Sequence, residues 1–235
     1  MKQFEALYAL ILRSQATRAR LGLLAALGVV AILIGIAIGS ADSADKAGTD
    51  FVNSFGLALV VPVTTLVFAS AALGDFIDDG TMVYLWLRPV ARWKLALAAA
   101  ASSFTVVLPL VLLPLLIAAA ATGKGSDLVA GTAASTTLGV AAYTGIFVML
   151  GVRGRRSLLW GLLYIFIWEG FVANAGDTAS RLAIRAYTRS VLSDATGFSL
   201  RLADVSSPYR YIVPLAVLVV ALLYTSHRLR VQDVA

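Results

Sequence analysis

The chain has no cysteine, one histidine and, in 235 residues, only 13 acidic side chains. Without thiols it forms no disulfide, no iron–sulfur cluster and no thiolate metal site. His227 sits among Arg228 and Arg230 and reads as a surface residue, because a zinc protease site needs two histidines at helical spacing. Gly123-Lys124 fails the phosphate-loop pattern: no glycine stands five residues before Gly123, and Gly125 follows where Ser or Thr is required. The chain therefore carries no visible ATP-binding motif. Charge is scarce too, at 14% of residues against about 25% in a soluble domain. The net charge of +6 comes without any basic run interleaved with aromatics, so nucleic acid is not an expected partner.

Hydrophobic residues fill the gap, at 60% of the chain. One water-facing globule could not bury that much apolar surface, so lipid is the expected solvent for most of it. Six spans are expected, at Leu21–Gly39, Phe51–Leu73, Leu95–Thr122, Leu128–Gly151, Leu158–Val172 and Tyr211–Ser226. The 19 residues of the first exceed a typical signal-peptide core and follow a long charged leader, so it is read as a retained span. Pro62 lies in the second span, and Pro109 and Pro114 are expected to kink the third. Before the first span, Phe4, Leu7, Tyr8, Ile11 and Leu12 fall on one helical face among basic residues. This predicts an amphipathic helix over residues 1–20 lying on the inner surface. The fold class is thus all-α, a single polytopic membrane domain with no separate soluble unit.

Six spans put both termini on one side, and charge chooses which. Termini inside places 12 basic residues in the cytoplasm against 7 outside, and the short outer loops then carry only Lys46 and Lys124. Arginine outnumbers lysine 15 to 4 among abundant alanines, as in proteins from GC-rich bacterial genomes. The expected location is a bacterial cytoplasmic membrane.

Two connections are too long to be plain turns. Residues 174–210 carry Arg181, Arg185 and Arg189 at successive i+4 positions with apolar residues around them, which predicts an outer helix along the interface. Glu169, the one acid in an apolar segment, falls about 16 Å along the fifth span from Leu158. Acids at that depth are costly, so a partner such as Arg181 or Arg185 is expected, or a direct role with substrate. Gly35 and Gly39 form a GxxxG in the first span that lets another helix approach closely.

The inner connection, Gly74–Lys94, is the most informative. Asp75, Asp78 and Asp79 come first, then Gly80-Thr81, then an apolar stretch through Leu85, then Arg88-Pro89 and Arg92-Trp93-Lys94. Acid at the start and base at the end suit a short helix by its dipole. Its exposed apolar residues would favour aggregation unless they met lipid or another protein's groove.

This segment resembles the first cytoplasmic loop of the permeases of ATP-binding-cassette exporters, the type-2 class with six spans per subunit. The resemblance rests on Asp75, Asp78, Asp79, Gly80, Thr81, Leu85, Arg88, Pro89, Arg92 and Trp93. It extends to the N-terminal interfacial helix, the span count and the outer helices after Trp168-Glu169-Gly170. It implies a dimer of permeases, a coupling helix in residues 74–94, and two separate cytoplasmic ATPase subunits that hold ATP and magnesium, with no cofactor in this chain. It further implies that spans two and five border the translocation path, with Asn53, Ser54, Thr64 and Thr65 on one and Trp160, Tyr164, Trp168 and Glu169 on the other. The outer segment is short, so a large extracytoplasmic accessory domain is not expected. Two alternatives stand beside this reading: a secondary carrier using Glu169, and a small membrane enzyme using the aspartate cluster with a divalent ion.

Overall fold

A computed structural model describes residues 2–40, 44–87, 90–123, 125–154, 156–200 and 205–231. Arg88 and Pro89 of the inner connection lie outside the described residues, as do Lys124, Arg155 and Arg201 of the charge pattern. No strand occurs among the described residues.

The helices follow the apolar runs. They are α1 (Lys2–Gln15), α2 (Arg18–Gly39), α3 (Ala44–Phe51), a π-helical stretch (Val52–Val60), α4 (Val61–Asp78) and α5 (Met82–Trp86). After these come α6 (Arg92–Ala121), α7 (Ser126–Gly151), α8 (Ser157–Leu163) and a second π-helical stretch (Tyr164–Glu169). A 3₁₀ turn (Val172–Asn174), α9 (Asp177–Ser180), α10 (Ile184–Thr196) and α11 (Tyr209–Val231) complete the chain. Five helices are long and apolar enough to cross a membrane: Arg18–Gly39, Lys46–Asp78, Arg92–Ala121, Ser126–Gly151 and Tyr209–Val231. The expected fifth span is shorter, a helix over Ser157–Glu169. Its 13 residues rise about 20 Å, against a hydrocarbon core of about 30 Å.

Side-chain neighbours fix the direction of each pass. Arg20 at the start of α2 pairs with Asp75 at the end of α4, 3.0 Å apart. Gly35 and Gly39 at the end of α2 meet Ala118 and Ala121 at the end of α6. Ala133 and Ala141 of α7 lie beside Tyr211 and Leu215, and Thr144 lies beside Leu218 and Leu222. Helices α7 and α11 therefore run parallel. One end of the bundle gathers Arg18, Arg20, Arg92, Lys94, Arg153, Arg156, Arg228 and Arg230; it is the basic end. The chain leaves α7 at that end and enters α11 at the other; between them the helix over 157–169 ends beside Tyr143 in the middle of α7, and α10 runs on from there past Gly139 and Gly131 of α7.

Prolines explain part of the local geometry. Pro62 lacks an N–H and its ring crowds the carbonyl four residues back. The stretch just before it, Val52–Val60, shifts to i→i+5 bonding, and α4 restarts with Pro62 in its first turn. Pro109 and Pro114 do not interrupt α6, which runs unbroken for 30 residues. Neighbouring helices in a bundle can satisfy the carbonyls that such prolines free.

Helices α4 and α7 form the centre of the bundle, with Phe68, Leu73, Tyr143 and Phe147 fully buried. Helix α2 packs against α6 through glycines. A Cβ on Gly28 would lie 2.8 Å from Pro114 Cγ, and one on Gly35 2.6 Å from the Ala118 carbonyl oxygen. The GxxxG thus closes an intramolecular seam. Gly35→Leu should cost about 1–3 kcal/mol by overpacking. Gly22→Leu, with nothing within 4 Å of its added Cβ, should be silent. Equal melting temperatures for the two variants in detergent would refute the seam.

The amphipathic α1 forms, with a different partner from the one expected. Leu7, Ile11 and Gln15 are buried at i, i+4 and i+8, where α1 contacts α6 and α4. Gln15 Nε2 donates to Ser103 Oγ at 3.0 Å inside that contact. Its apolar face is therefore covered by protein, while Glu5, Leu10 and Arg13 are exposed.

Candidate functional site

Two polar features stand out from the apolar bundle, one within it and one at its basic end. Within the bundle, the π-helical register over Tyr164–Glu169 decides the chemistry. Residues five apart on an α-helix point about 140° from each other, at about 100° per residue. With i→i+5 bonding, Tyr164 and Glu169 share a face, and the Tyr164 hydroxyl donates to Glu169 Oε1 at 3.0 Å. Tyr143 from the middle of α7 donates its hydroxyl to the other carboxylate oxygen. The Ile184 backbone N–H, in the first turn of α10, donates to Oε1 at 3.1 Å.

Three donors from three elements thus converge on a side chain that is 2% exposed. The Ile184 bond supplies one of the N-terminal amides of α10 with an acceptor that its own helix cannot provide. A carboxylate at that end also suits the helix dipole. Aromatic packing holds the tyrosines: Tyr143 stacks on Phe147 at 5.7 Å, and Phe147 meets Tyr164 edge-on at 6.2 Å. Arg181 and Arg185 make no ion pair with Glu169 within 4.0 Å among the described residues; Arg185 interacts with it electrostatically from beside the same small cavity, and the hydrogen bonds come from tyrosine and backbone donors.

The arginines of α10 face the same region. Arg189 Nε donates to Asn53 Oδ1 at 2.8 Å, tying α10 to the π-helical stretch after α3. Burial pulls the Arg189 guanidinium down to about 10, with Arg185 adding to the fall and Tyr143 and Glu169 opposing it. Burial likewise lowers Arg185, against the pull of Tyr143 and Glu169. Arg185 Nε is buried without a hydrogen-bond partner. The cavity among Glu169, Ser180, Arg185 and Arg189 measures about 10 Å³, room for about one water. As arranged, this cluster holds helices together and admits no larger ligand. A second tie lies beside it, where Arg210 of α11 pairs with Asp194 of α10 at 2.7 Å.

At the basic end, the inner connection departs from its expected dipole arrangement. The three acids belong to the end of α4: Asp75 is in its last turn, Asp78 is its final residue and Asp79 is its C-cap. Acids at a helix C-terminus oppose its dipole. Arg20 offsets Asp75, whereas Asp78 and Asp79 are exposed. Gly80 turns the chain at φ +67, a left-handed conformation that suits glycine. Thr81 Oγ1 donates back to the Phe76 carbonyl at 3.3 Å. Helix α5 then buries Met82 and Leu85 in the core while Tyr84 and Leu87 stand 71% and 78% exposed. Trp93, at the start of α6, is half exposed.

The remaining expected path residues do not share one surface. Thr64 and Thr65 are buried inside the bundle, and Thr65 Oγ1 donates to the Val61 carbonyl at 2.7 Å. Ser54 and Trp160 face outward, and Trp168 is half-buried. Asn53, Tyr164 and Glu169 do come together around α10, joined by Tyr143, Ile184 and Arg189. Tyr143 carried no sequence signal as a site residue, because a lone tyrosine in a long apolar run looks like packing. Among the described residues there is no group of three acids, histidines or cysteines placed to hold a metal. No protein-family model matches the chain, and no curated protein matches it.

Proposed function

We propose that this chain is the membrane-spanning permease subunit of an ATP-driven exporter of the ATP-binding-cassette class. The observation that carries the reading is the surface around α5. Two exposed acids oppose the dipole of α4, and two exposed apolar side chains stand on a short helix anchored from beneath by Met82 and Leu85. Local rules broken without an internal compensation point to a job done elsewhere. A rigid, acidic and apolar knob at the end of a bundle suits docking into a groove of another protein.

On this reading the helix over 157–169 is the fifth of six crossings, and the basic end faces the cytoplasm. The host is a bacterial inner membrane. A second permease copy or paralogue completes the path, and cytoplasmic ATPase subunits hold ATP and magnesium. Closure of the ATPases pushes α5, and α4 carries the push into the bundle beside α7. The cluster at Glu169 then holds the start of α10 against the middle of α7 while the path is closed.

The test is co-purification from the native membrane. Wild-type chain should bring down a small cytoplasmic ATPase. Asp78→Lys with Asp79→Lys should cut its recovery by about tenfold or more, since like charges across an interface cost several kcal/mol. Full ATP-linked transport with residues 75–87 replaced by a Gly-Ser linker would overturn the proposal.

A further inference from the structure

The bundle has one groove that the transport reading leaves unused. It lies between α6, α7 and α11, is lined by apolar side chains apart from Thr144, and has a cavity volume of about 240 Å³. Small residues Ala101 and Ala141 make it deep, and Leu97, Phe104, Leu218 and Leu222 wall it. Leu97 and Phe104 are five and twelve residues from the start of α6, which puts the groove about 8–18 Å from the basic end. It therefore occupies one leaflet, the half of the bilayer on the basic side.

Cations stand where the three walls of this groove reach the basic end. Lys94 is three residues before Leu97, about one turn closer to the basic end, with its Nζ 5.7 Å from the Trp93 ring centre. Arg228 and Arg230 follow Leu222 at the exposed end of α11, and Arg153 closes α7. The segments 92–121, 128–153 and 209–231 contain no Asp or Glu at all. Asp75, Asp78 and Asp79 belong to α4, outside these segments. An apolar slot of one leaflet with Lys94 above it and Arg228 and Arg230 on the two flanks of α11 suits an acyl chain carrying an anionic headgroup.

We infer that this groove is a specific site for an anionic phospholipid, with one acyl chain between α6, α7 and α11 and its headgroup at Lys94, Arg228 and Arg230. A tryptophan beside the cation suits the same depth, since indole rings settle at the headgroup level. The lipid would fill a seam between three helices, so its release should loosen α11 against α6. The inference rests on the membrane placement of the bundle and not on any ATPase partner.

Native mass spectrometry of the purified chain in detergent, titrated with phosphatidylglycerol or phosphatidylcholine of equal chain length, tests it. Wild type should retain one phosphatidylglycerol in preference to phosphatidylcholine. Lys94→Gln with Arg228→Gln and Arg230→Gln should lower that retention by about tenfold or more while leaving phosphatidylcholine unchanged. Ala101→Leu, which fills the groove, should lower retention of both lipids. Equal retention of the two lipids by wild type, or wild-type retention in the charge variant, would mean annular lipid only and would overturn the site. The charge variant alters exposed side chains and remains informative should the groove-filling variant fold poorly. Because no ATPase is present, failure here leaves the exporter proposal standing. Loss of ATPase co-purification, conversely, leaves the lipid site standing.

Discussion

Glu169→Ala should be strongly destabilising. It removes the acceptor shared by Tyr143, Tyr164 and the Ile184 amide, of which the Tyr143 and Ile184 bonds are buried and the Tyr164 bond partly so. Orphaned buried donors cost about 1–3 kcal/mol each, and breaking a buried polar cluster typically costs about 3–5 kcal/mol in all. For a chain of this size the melting temperature should fall by about 10 °C. Tyr143→Phe should cost less, because the carboxylate keeps two donors, and Tyr164→Phe least, because its hydroxyl is only partly buried. In the double variant the costs should fall short of their sum, as expected for side chains in one cluster.

The same substitutions separate the proposed clamp from a carrier site. A clamp loses stability with Glu169→Ala, and its α10 amides exchange faster with deuterium, beginning at Ile184. A carrier site would tolerate Glu169→Ala in stability yet lose gradient-driven transport with Glu169→Gln. Unchanged melting together with unchanged exchange at 184–196 would remove the clamp from consideration.

What could be read from the sequence depended on the period of the signal. The long apolar runs gave the helices at 18–39, 92–121, 126–151 and 209–231 almost to their ends, because burial in lipid demands length and composition and little else. The GxxxG was legible as a close-approach motif, though only the structure supplies α6 as its partner. The helix over 157–169 was legible as apolar and as short, from the run Leu158–Val172. Its change of bonding register leaves no mark in hydropathy, and that change is what aligns Tyr164 with Glu169. The acids of the inner connection were legible as a cluster. Their placement depended on where α4 stops, and helix ends are the least determined feature of a pattern. Reading them as the start of a short helix reversed their relation to the dipole. Similarly, the apolar face of α1 was plain, but hydropathy does not distinguish lipid from the flank of α6 as its cover.

Helix α5 offers the sharpest division between holding the knob and using it, because its two faces do different work. Met82 and Leu85 are 7% exposed and anchor the loop in the core, whereas Tyr84 and Leu87 project from it. Leu85→Ala should cost about 2–5 kcal/mol as a truncated core side chain and lower the melting temperature. Tyr84→Asp with Leu87→Asp should leave melting nearly unchanged, since surface substitutions usually fall within about 0.5 kcal/mol. On the exporter reading that same pair should remove most of the binding to the ATPase subunit, because a few buried aromatic and aliphatic anchors dominate such interfaces. ATP-linked transport should then fall by about tenfold or more, with the chain still folded and inserted. If α5 instead only rested on lipid, the aspartates would weaken membrane contact of the loop and leave the recovery of any ATPase unaltered. The measurement is therefore made in pairs, melting and partner recovery for each variant. Stability must follow the inward face and association the outward one.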